Sequence, residues 1–210
     1  MNNIPDGTVR RLADRAEIAD CLGRYARGMD RLDRDLVLSA YHPDAVDDHG
    51  KFVGSPAEFV RWSFAMHRQH HHSHLHAILH HSCELDGDTA HTEAYFMFLS
   101  MNRTGAPWSA SAGRYIDRFE RRDGRWAIAH RLCVRDWAAT DGPHEPADPT
   151  TLTSTSGSLS DAQRMLMRSA PPAARDRSDP SYRRPLVADP QRLLRSQALL
   201  GDAATRGEEG

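Results

Sequence analysis

The sequence predicts an α+β fold in which three N-terminal helices pack on a curved antiparallel sheet and enclose a pocket. Apolar residues recur at helical spacing in the first third of the chain. Four long segments of alternating pattern follow, and tight turns or short loops separate them. Helices gathered on one side of an antiparallel sheet define the α+β class. We expect a cone-shaped α+β barrel with a cavity beneath the first helix.

Two helices are predicted at the start of the chain. The first spans Val9 to Asp30, because its apolar residues fall near one stripe of a helix. Asp30, at its end, lies near that stripe, and a carboxylate there opposes the negative end of the helix dipole. It is either a solvated helix-end residue or an acid directed into the pocket. The second helix spans Arg34 to Tyr41, and the next three residues, His-Pro-Asp, break it.

A short strand pair and a third helix come next. Ala45 to His49 is the strand, and Gly50 to Gly54 make a hairpin-like return. Ser55 and Pro56 then open the third helix, since serine caps a helix and proline suits its first turn.

Four long strands complete the predicted fold. They run from Ser73 to Leu85, from Thr89 to Met101, from Ser109 to Arg121 and from Arg125 to Ala138. An Asp-Gly-Asp turn joins the first two into a hairpin. We therefore assign residues 1–140 to the cone-shaped domain.

Residues 141–210 form a different kind of segment. Eight of the twelve prolines fall between Pro143 and Pro190, among Asp, Ser, Thr and Arg, so this extension has little core of its own. Two short helices are predicted in it, one over Ser160 to Ser169 and one that starts at Pro190 and stops at Gly201. The leucines of the second helix should dock over a pocket mouth or on a neighbouring subunit.

Composition excludes several classes of function. The formal net charge of -2 argues against a dedicated nucleic-acid-binding protein. No apolar run approaches the ~18 residues of a membrane span. The three cysteines have no C-x-x-C spacing, which is typical of reduced, buried thiols. We expect a cytoplasmic protein that binds neither nucleic acid nor membranes.

Histidines crowd into the first long strand and the residues before it, in HRQHHHSHLHAILHH. Because side chains alternate along a strand, one face carries His74, His76, Ile78 and His80. We expect that face to line the pocket. The earlier histidines, from His67 to His72, should mostly face solvent, so no metal site is predicted.

The order of elements resembles the nuclear-transport-factor-2-like superfamily, and more closely its SnoaL-like branch. The residues that carry the resemblance are YARGMDRLD, AYHPDAV, HLHAILHHSCELDGDTAHTEAY and GRYIDRFERRDGRWAIAHRLCVRDW. Within that branch the chain is similar to bile-acid 7α-dehydratase, scytalone dehydratase and hexachlorocyclohexane dehydrochlorinase. The resemblance implies a homotrimeric lyase without a cofactor that uses an Asp–His pair inside the cone.

The resemblance also implies which residues are catalytic. The helix-end Asp falls on Asp30 and the strand histidine on His76. The tyrosine of the bile-acid enzyme falls on Tyr25, and the arginine of the dehydrochlorinase falls on Arg131. The dehydrochlorinase has a lysine at the position of Tyr25, which makes its chloride-expelling chemistry a poorer match.

These residue types suit proton removal from carbon. A neutral histidine is a base with a pKa near the working pH, and a buried Asp holds its tautomer. Tyr25 can donate to developing negative charge, or it is a core tyrosine with a satisfied hydroxyl. Arg131 either anchors an anionic group or pairs across strands with Asp117 or Asp136.

The function predicted from these residues is a dehydratase acting on a hydrophobic hydroxylated cyclic substrate, with no cofactor. The expected substrate-binding residues are His80, Ile78, Tyr95 and His49. The same residues would also serve a ketosteroid-type isomerase, or a lyase that releases formaldehyde from lignin-derived diols. A rival interpretation is a non-catalytic binding or assembly module, for which an Asp30 and a His76 that point apart would be evidence.

Overall fold

The protein is described from a computed structural model, which covers residues 6–140, 160–172, 174 and 176–207, with backbone alone at 6 and 201–207. Three helices precede the long strands, as predicted. The elements are α1 (Asp6–Arg31), α2 (Arg34–Leu38), β1 (Tyr41–Asp48), β2 (Val53–Gly54), α3 (Pro56–His70), β3 (His71–Asp86), β4 (Thr89–Asn102), β5 (Trp108–Arg122), β6 (Arg125–Thr140), α4 (Asp161–Arg168) and α5 (Pro190–Gly207).

The α+β class is confirmed: the helices pack on one six-stranded sheet in the order β2-β1-β6-β5-β4-β3. The sheet differs from the expected antiparallel one in a single pair, because β1 runs parallel to β6. The other paired strands are antiparallel. The sheet is open, with β2 and β3 at its edges.

Helix α1 supplies one wall of the core and delivers Asp30 to the sheet. Its buried stripe contains Ile18, Leu22, Tyr25 and Met29, at spacings of three and four residues. Gly28 allows close packing there, since a Cβ atom at this position would lie 2.7 Å from Cγ2 of Val37 on α2. Asp30 therefore lies in the last turn of a helix that packs against the core on one side and against α2 on another.

The predicted end of α2 is wrong. The helix stops at Leu38, and Tyr41 to Pro43, assigned to the helix and its break, belong to β1 instead. Pairing with β6 outweighs local helix preference here, and the amide of Ile128 donates to the carbonyl of Ala40 at 2.9 Å. A register irregularity between Tyr41 and Val46 accommodates the proline within the strand.

The described part of the C-terminal extension packs against the sheet. Both predicted helices are present, but α5 continues to Gly207 instead of stopping at Gly201. A single glycine costs a helix only about 1 kcal/mol, and good helix formers follow it. Residues 141–159, with three of the prolines, lie outside the described residues.

Helix α5 docks on the β1–β2 edge of its own chain. Arg192 forms a two-pronged ion pair with Asp48, at 2.7 and 2.9 Å, and the hydroxyl of Ser196 accepts from the amide of Val53 at 2.8 Å. Among the described residues, the helices are too short or too polar to cross a membrane.

Candidate functional site

Asp30 and His76 lie in direct contact at the junction of α1 and β3. Oδ1 of Asp30 accepts from the ring Nδ1 of His76 at 2.8 Å and from its backbone amide at 2.8 Å. Both side chains are almost fully buried, with 6% and 8% of their surface exposed. The two side chains therefore do not point apart, which is the arrangement that would have favoured a binding module.

The contact with Asp30 determines the tautomer of His76. When Nδ1 carries the proton that the carboxylate accepts, Nε2 keeps its lone pair and is the basic atom. Burial lowers the pKa of His76 and the Asp30 carboxylate partly opposes that effect. Phe98 packs on the imidazole, with ring centroids 4.9 Å apart.

A second carboxylate–histidine pair lies beside Tyr25. Nδ1 of His49 contacts Oδ1 of Asp47, and the hydroxyl of Tyr41 donates to the other oxygen of Asp47 at 2.5 Å. Nε2 of His49 lies 3.3 Å from the hydroxyl oxygen of Tyr25. The ring of Tyr25 is 6.4 Å from that of His76. Tyr25 thus neighbours both Asp–His pairs.

The tyrosines of this region keep their protons. Burial raises the pKa of Tyr25, and Arg131 only partly opposes this. Burial also raises the pKa of Tyr41 and that of Tyr115 well above the usual range. These hydroxyl groups are therefore donors at neutral pH.

Arg131 adopts the cross-strand pairing that was the alternative to a pocket role. Its guanidinium donates to both oxygens of Asp117 at 2.7 and 2.8 Å, and both residues are fully buried. The rings of Tyr25 and Tyr115 lie 4.2 and 4.1 Å from it. Burial opposes its charge, but Asp117 raises the pKa of Arg131 above its ordinary value. The Arg131 guanidinium thus packs against the ring of Tyr25.

The expectation that the early histidines face solvent is wrong for two of them. His67 and His71 are buried, with 4% and 5% exposure. Their Nδ1 atoms are 3.0 Å apart, and the ring of His67 stacks on that of His74 at 4.0 Å. Burial and the neighbouring imidazoles lower the pKa of His71 to about 4 and that of His67 still further.

Two of the expected substrate-binding residues lie on the opposite face of the sheet. A register shift between Ile78 and His81 adds one residue to β3, which reverses the alternation and turns His80 outward. His80 is exposed and stacks on Tyr95 at 4.5 Å. Tyr95 faces outward because Phe96, its neighbour on β4, packs into the core. The placement of His80 on the His76 face is therefore wrong.

Ile78 lies on the face that strand alternation predicted, and His49, whose direction the sequence did not predict, packs in the core near Tyr25. Ile78 is partly buried against the core, and His49 stacks on Phe59 with ring centroids 4.3 Å apart. Tyr95 instead lines an outer pocket of about 370 Å³ together with Arg114 and the extension residues Asp179 and Tyr182.

The sequence reasoning missed Asp47, His67 and His71. A signal for the histidines was present, because the buried stripe of α3 runs through Val60, Phe64 and His67 and reaches His71 at the same helical spacing. Asp47 carried no local signal, since its place depends on the pairing of β1 with β6.

The model of a protein family described as SnoaL-like domain matches residues 10–132 of the chain. No curated protein matches the chain. The match ends at residue 132, so the last part of β6 and the C-terminal extension lie outside it.

Solved structures of similar fold include three informative examples. A type 2 hexachlorocyclohexane dehydrochlorinase (LinA) has a TM-score of 0.61 at 21% identity, covering 68% of this chain and 98% of that one. LinA-type3 from Novosphingobium barchaimii LL02 has a TM-score of 0.59 at 21% identity, covering 67% and 99%. A candidate scytalone dehydratase from Novosphingobium aromaticivorans has a TM-score of 0.58 at 14% identity, covering 68% and 96%.

Proposed function

The chain belongs to the SnoaL-like domain family, and from this premise we propose that it is a cofactor-independent lyase. The proposed reaction is a dehydration of a hydrophobic hydroxylated cyclic substrate of steroid or polyketide type. The proposal also draws on the similar fold of proteins described as dehydrochlorinases and as a candidate dehydratase.

The observation that carries the proposal is the contact between Asp30 and His76. A buried carboxylate that accepts from the backbone amide and from the ring Nδ1 of one histidine orients the imidazole and stabilises the imidazolium that forms when Nε2 takes up a proton. Aromatic neighbours exclude water from this pair, which strengthens the electrostatic interactions within it. An assembly module has no use for such a pair.

In the proposed reaction Nε2 of His76 takes a proton from a substrate carbon. The electron pair of the C–H bond forms the new double bond, and the C–O bond of the neighbouring carbon breaks. The departing hydroxyl needs one proton to leave as water. Tyr25 is the proposed donor because its hydroxyl contacts His49 and its ring lies 6.4 Å from that of His76.

His49 and Asp47 are proposed to replace the proton that Tyr25 gives up. When His49 carries a second proton, its Nε2–H donates to the oxygen of Tyr25, and the tyrosine hydroxyl is free to donate to the leaving group. The proton then passes from His49 to Tyr25 while Asp47 holds the imidazole in place. Arg131, tied to Asp117, acts through Tyr25 and not on the substrate.

The test is a panel of hydroxysteroids, hydroxylated polyketides and diarylpropane diols incubated with the protein. We expect new conjugated absorbance and one molecule of water lost, read by mass spectrometry. Release of formaldehyde would identify the retro-aldol reaction instead, and a product of unchanged mass would identify an isomerase. Binding of panel members without any product would contradict the enzymatic proposal.

We further propose that the protein is a homotrimer. Large apolar side chains on the outer face of the sheet support this, since Leu75, Met101, Trp108 and Trp137 are 41–51% exposed. Sedimentation equilibrium should give three times the mass of the 23.5 kDa chain. A monomer at micromolar concentration would refute it.

A further inference from the structure

The three imidazoles of His67, His71 and His74 have no part in the proposed reaction. One potential ligand atom from each lies within 4.8 Å of those from the other two. We propose that these residues form a binding site for one divalent transition-metal ion of the zinc and cobalt type. No step of the dehydration passes through this site.

The distance between His67 and His71 suits a metal ion. The Nδ1 atoms of His67 and His71 are 3.0 Å apart. Two nitrogens bound to one zinc ion at about 2.0–2.1 Å and at a tetrahedral angle are separated by about 3.3 Å. A small outward movement of either ring thus admits the ion between them, in place of the proton that the two nitrogens share.

The backbone holds the three histidines on a rigid junction. His67 lies in the last turn of α3, and His71 caps the same helix and begins β3. Their i, i+4 spacing puts both rings on one side of the helix, and His74 follows on the strand. Phe98 packs behind His67 and His71, with ring centroids at 5.7 and 5.6 Å.

A second observation points to a ligand role for His74. Its Nε2 lies 2.9 Å from the carbonyl oxygen of Met29 and donates to it. Metal-binding histidines usually give their other ring N–H to a carbonyl or carboxylate in this way, which selects the tautomer and orients the ring. The bond leaves Nδ1 of His74 with the lone pair.

The donor set selects the class of metal. Three imidazole nitrogens favour zinc, cobalt, nickel or copper over calcium and magnesium, which prefer oxygen ligands. Asp30, His74 and His76 form an overlapping group. In that group Asp30 and His76 already bond to each other, so the ion belongs with His67 and His71. Three protein ligands leave one coordination position open.

The experiment is a cobalt(II) titration of the full-length chain without a polyhistidine tag, followed by visible absorption. We expect d–d bands that saturate at one ion per chain. His67→Phe and His71→Phe replace one ring by another without a ligand nitrogen, and each should weaken binding about tenfold or more. The matched control is His72→Ala, which removes an exposed histidine of the same run and should leave the titration unchanged.

Zinc-edge X-ray absorption of the wild-type protein keeps the proposal testable if a variant fails to fold. Three imidazole ligands at about 2.0–2.1 Å would support it. The absence of cobalt bands at millimolar metal, or bands that His67→Phe and His71→Phe leave unchanged, would overturn it. Asp30→Asn separates this proposal from the lyase, since that variant should lose turnover and keep cobalt binding.

Discussion

Oδ1 of Asp30 accepts both the backbone amide and the ring Nδ1 of His76, each at 2.8 Å. One carboxylate oxygen therefore ties the last turn of α1 to the middle of β3 and sets the angle of the imidazole at the same time. The pair cannot separate without breaking a contact between two elements of the core. This dual bond fixes the orientation of the His76 imidazole.

Removal of the proposed base should abolish turnover. His76→Ala is expected to lower kcat by about 10²–10⁴-fold, the usual contribution of a general base. The measurement is the rate of product formation with the first substrate found in the panel. His80→Ala is the matched control, because it removes an exposed histidine from the same strand and should leave the rate unchanged. Full activity in His76→Ala would exclude this residue as the base.

The hydroxyl of Tyr25 is the second target. Tyr25→Phe should lower kcat by about 10²-fold because the leaving group loses its donor, with a loss of stability of about 0.5–1.5 kcal/mol for each hydrogen bond that the hydroxyl makes. Steady-state kinetics and urea unfolding measure the two effects. Tyr95→Phe, on the outer face, should change neither. Equal kcat values for Tyr25→Phe and the wild-type protein would remove Tyr25 from the mechanism.

The sequence was most informative where one element determines a residue's position. The helical stripe of α1 placed Tyr25, and alternation along β3 placed His74, His76 and Ile78. The stripe left open whether Asp30 faced solvent or the pocket. The family resemblance then paired Asp30 with His76, and the two lie in hydrogen-bond contact.

Prediction from the sequence failed where pairing with a distant strand determines the position of a residue. The bulge that turns His80 outward exists only in the register between β3 and β4, and no residue type in that segment announces it. Asp47 reaches the site through a parallel pairing with Arg131, between residues more than eighty positions apart. Alternation within one strand cannot reveal either feature.

The buried ion pair of Arg131 and Asp117 should dominate local stability. Asp117→Ala leaves a guanidinium without its partner in the core, so we expect a loss of about 3–5 kcal/mol in the free energy of unfolding. Urea denaturation measures it. Asp44→Ala breaks the exposed pair with Arg122 and should cost less than about 1 kcal/mol. Similar losses for the two variants would show that the buried pair contributes no more to the free energy of unfolding than the exposed pair.

Acid should weaken the attachment of the extension through Asp179. Burial opposes ionisation of this carboxyl, but the Arg114 guanidinium at 2.8 Å and the amides of Ala174 and Ser181 outweigh it and lower the pKa of Asp179. A group whose pKa is depressed in the folded state stabilises that state above its unfolded pKa of about 3.9, and the contribution disappears as the pH falls.

The stability difference between the wild-type protein and Asp179→Asn should therefore be full above about pH 5 and shrink steadily below pH 4. Thermal unfolding of both proteins across this range measures it, with Asp161→Asn, whose side chain in the same extension is 96% exposed, as the control. A difference that stays constant down to pH 2 would mean that the charge of Asp179 does not hold the extension.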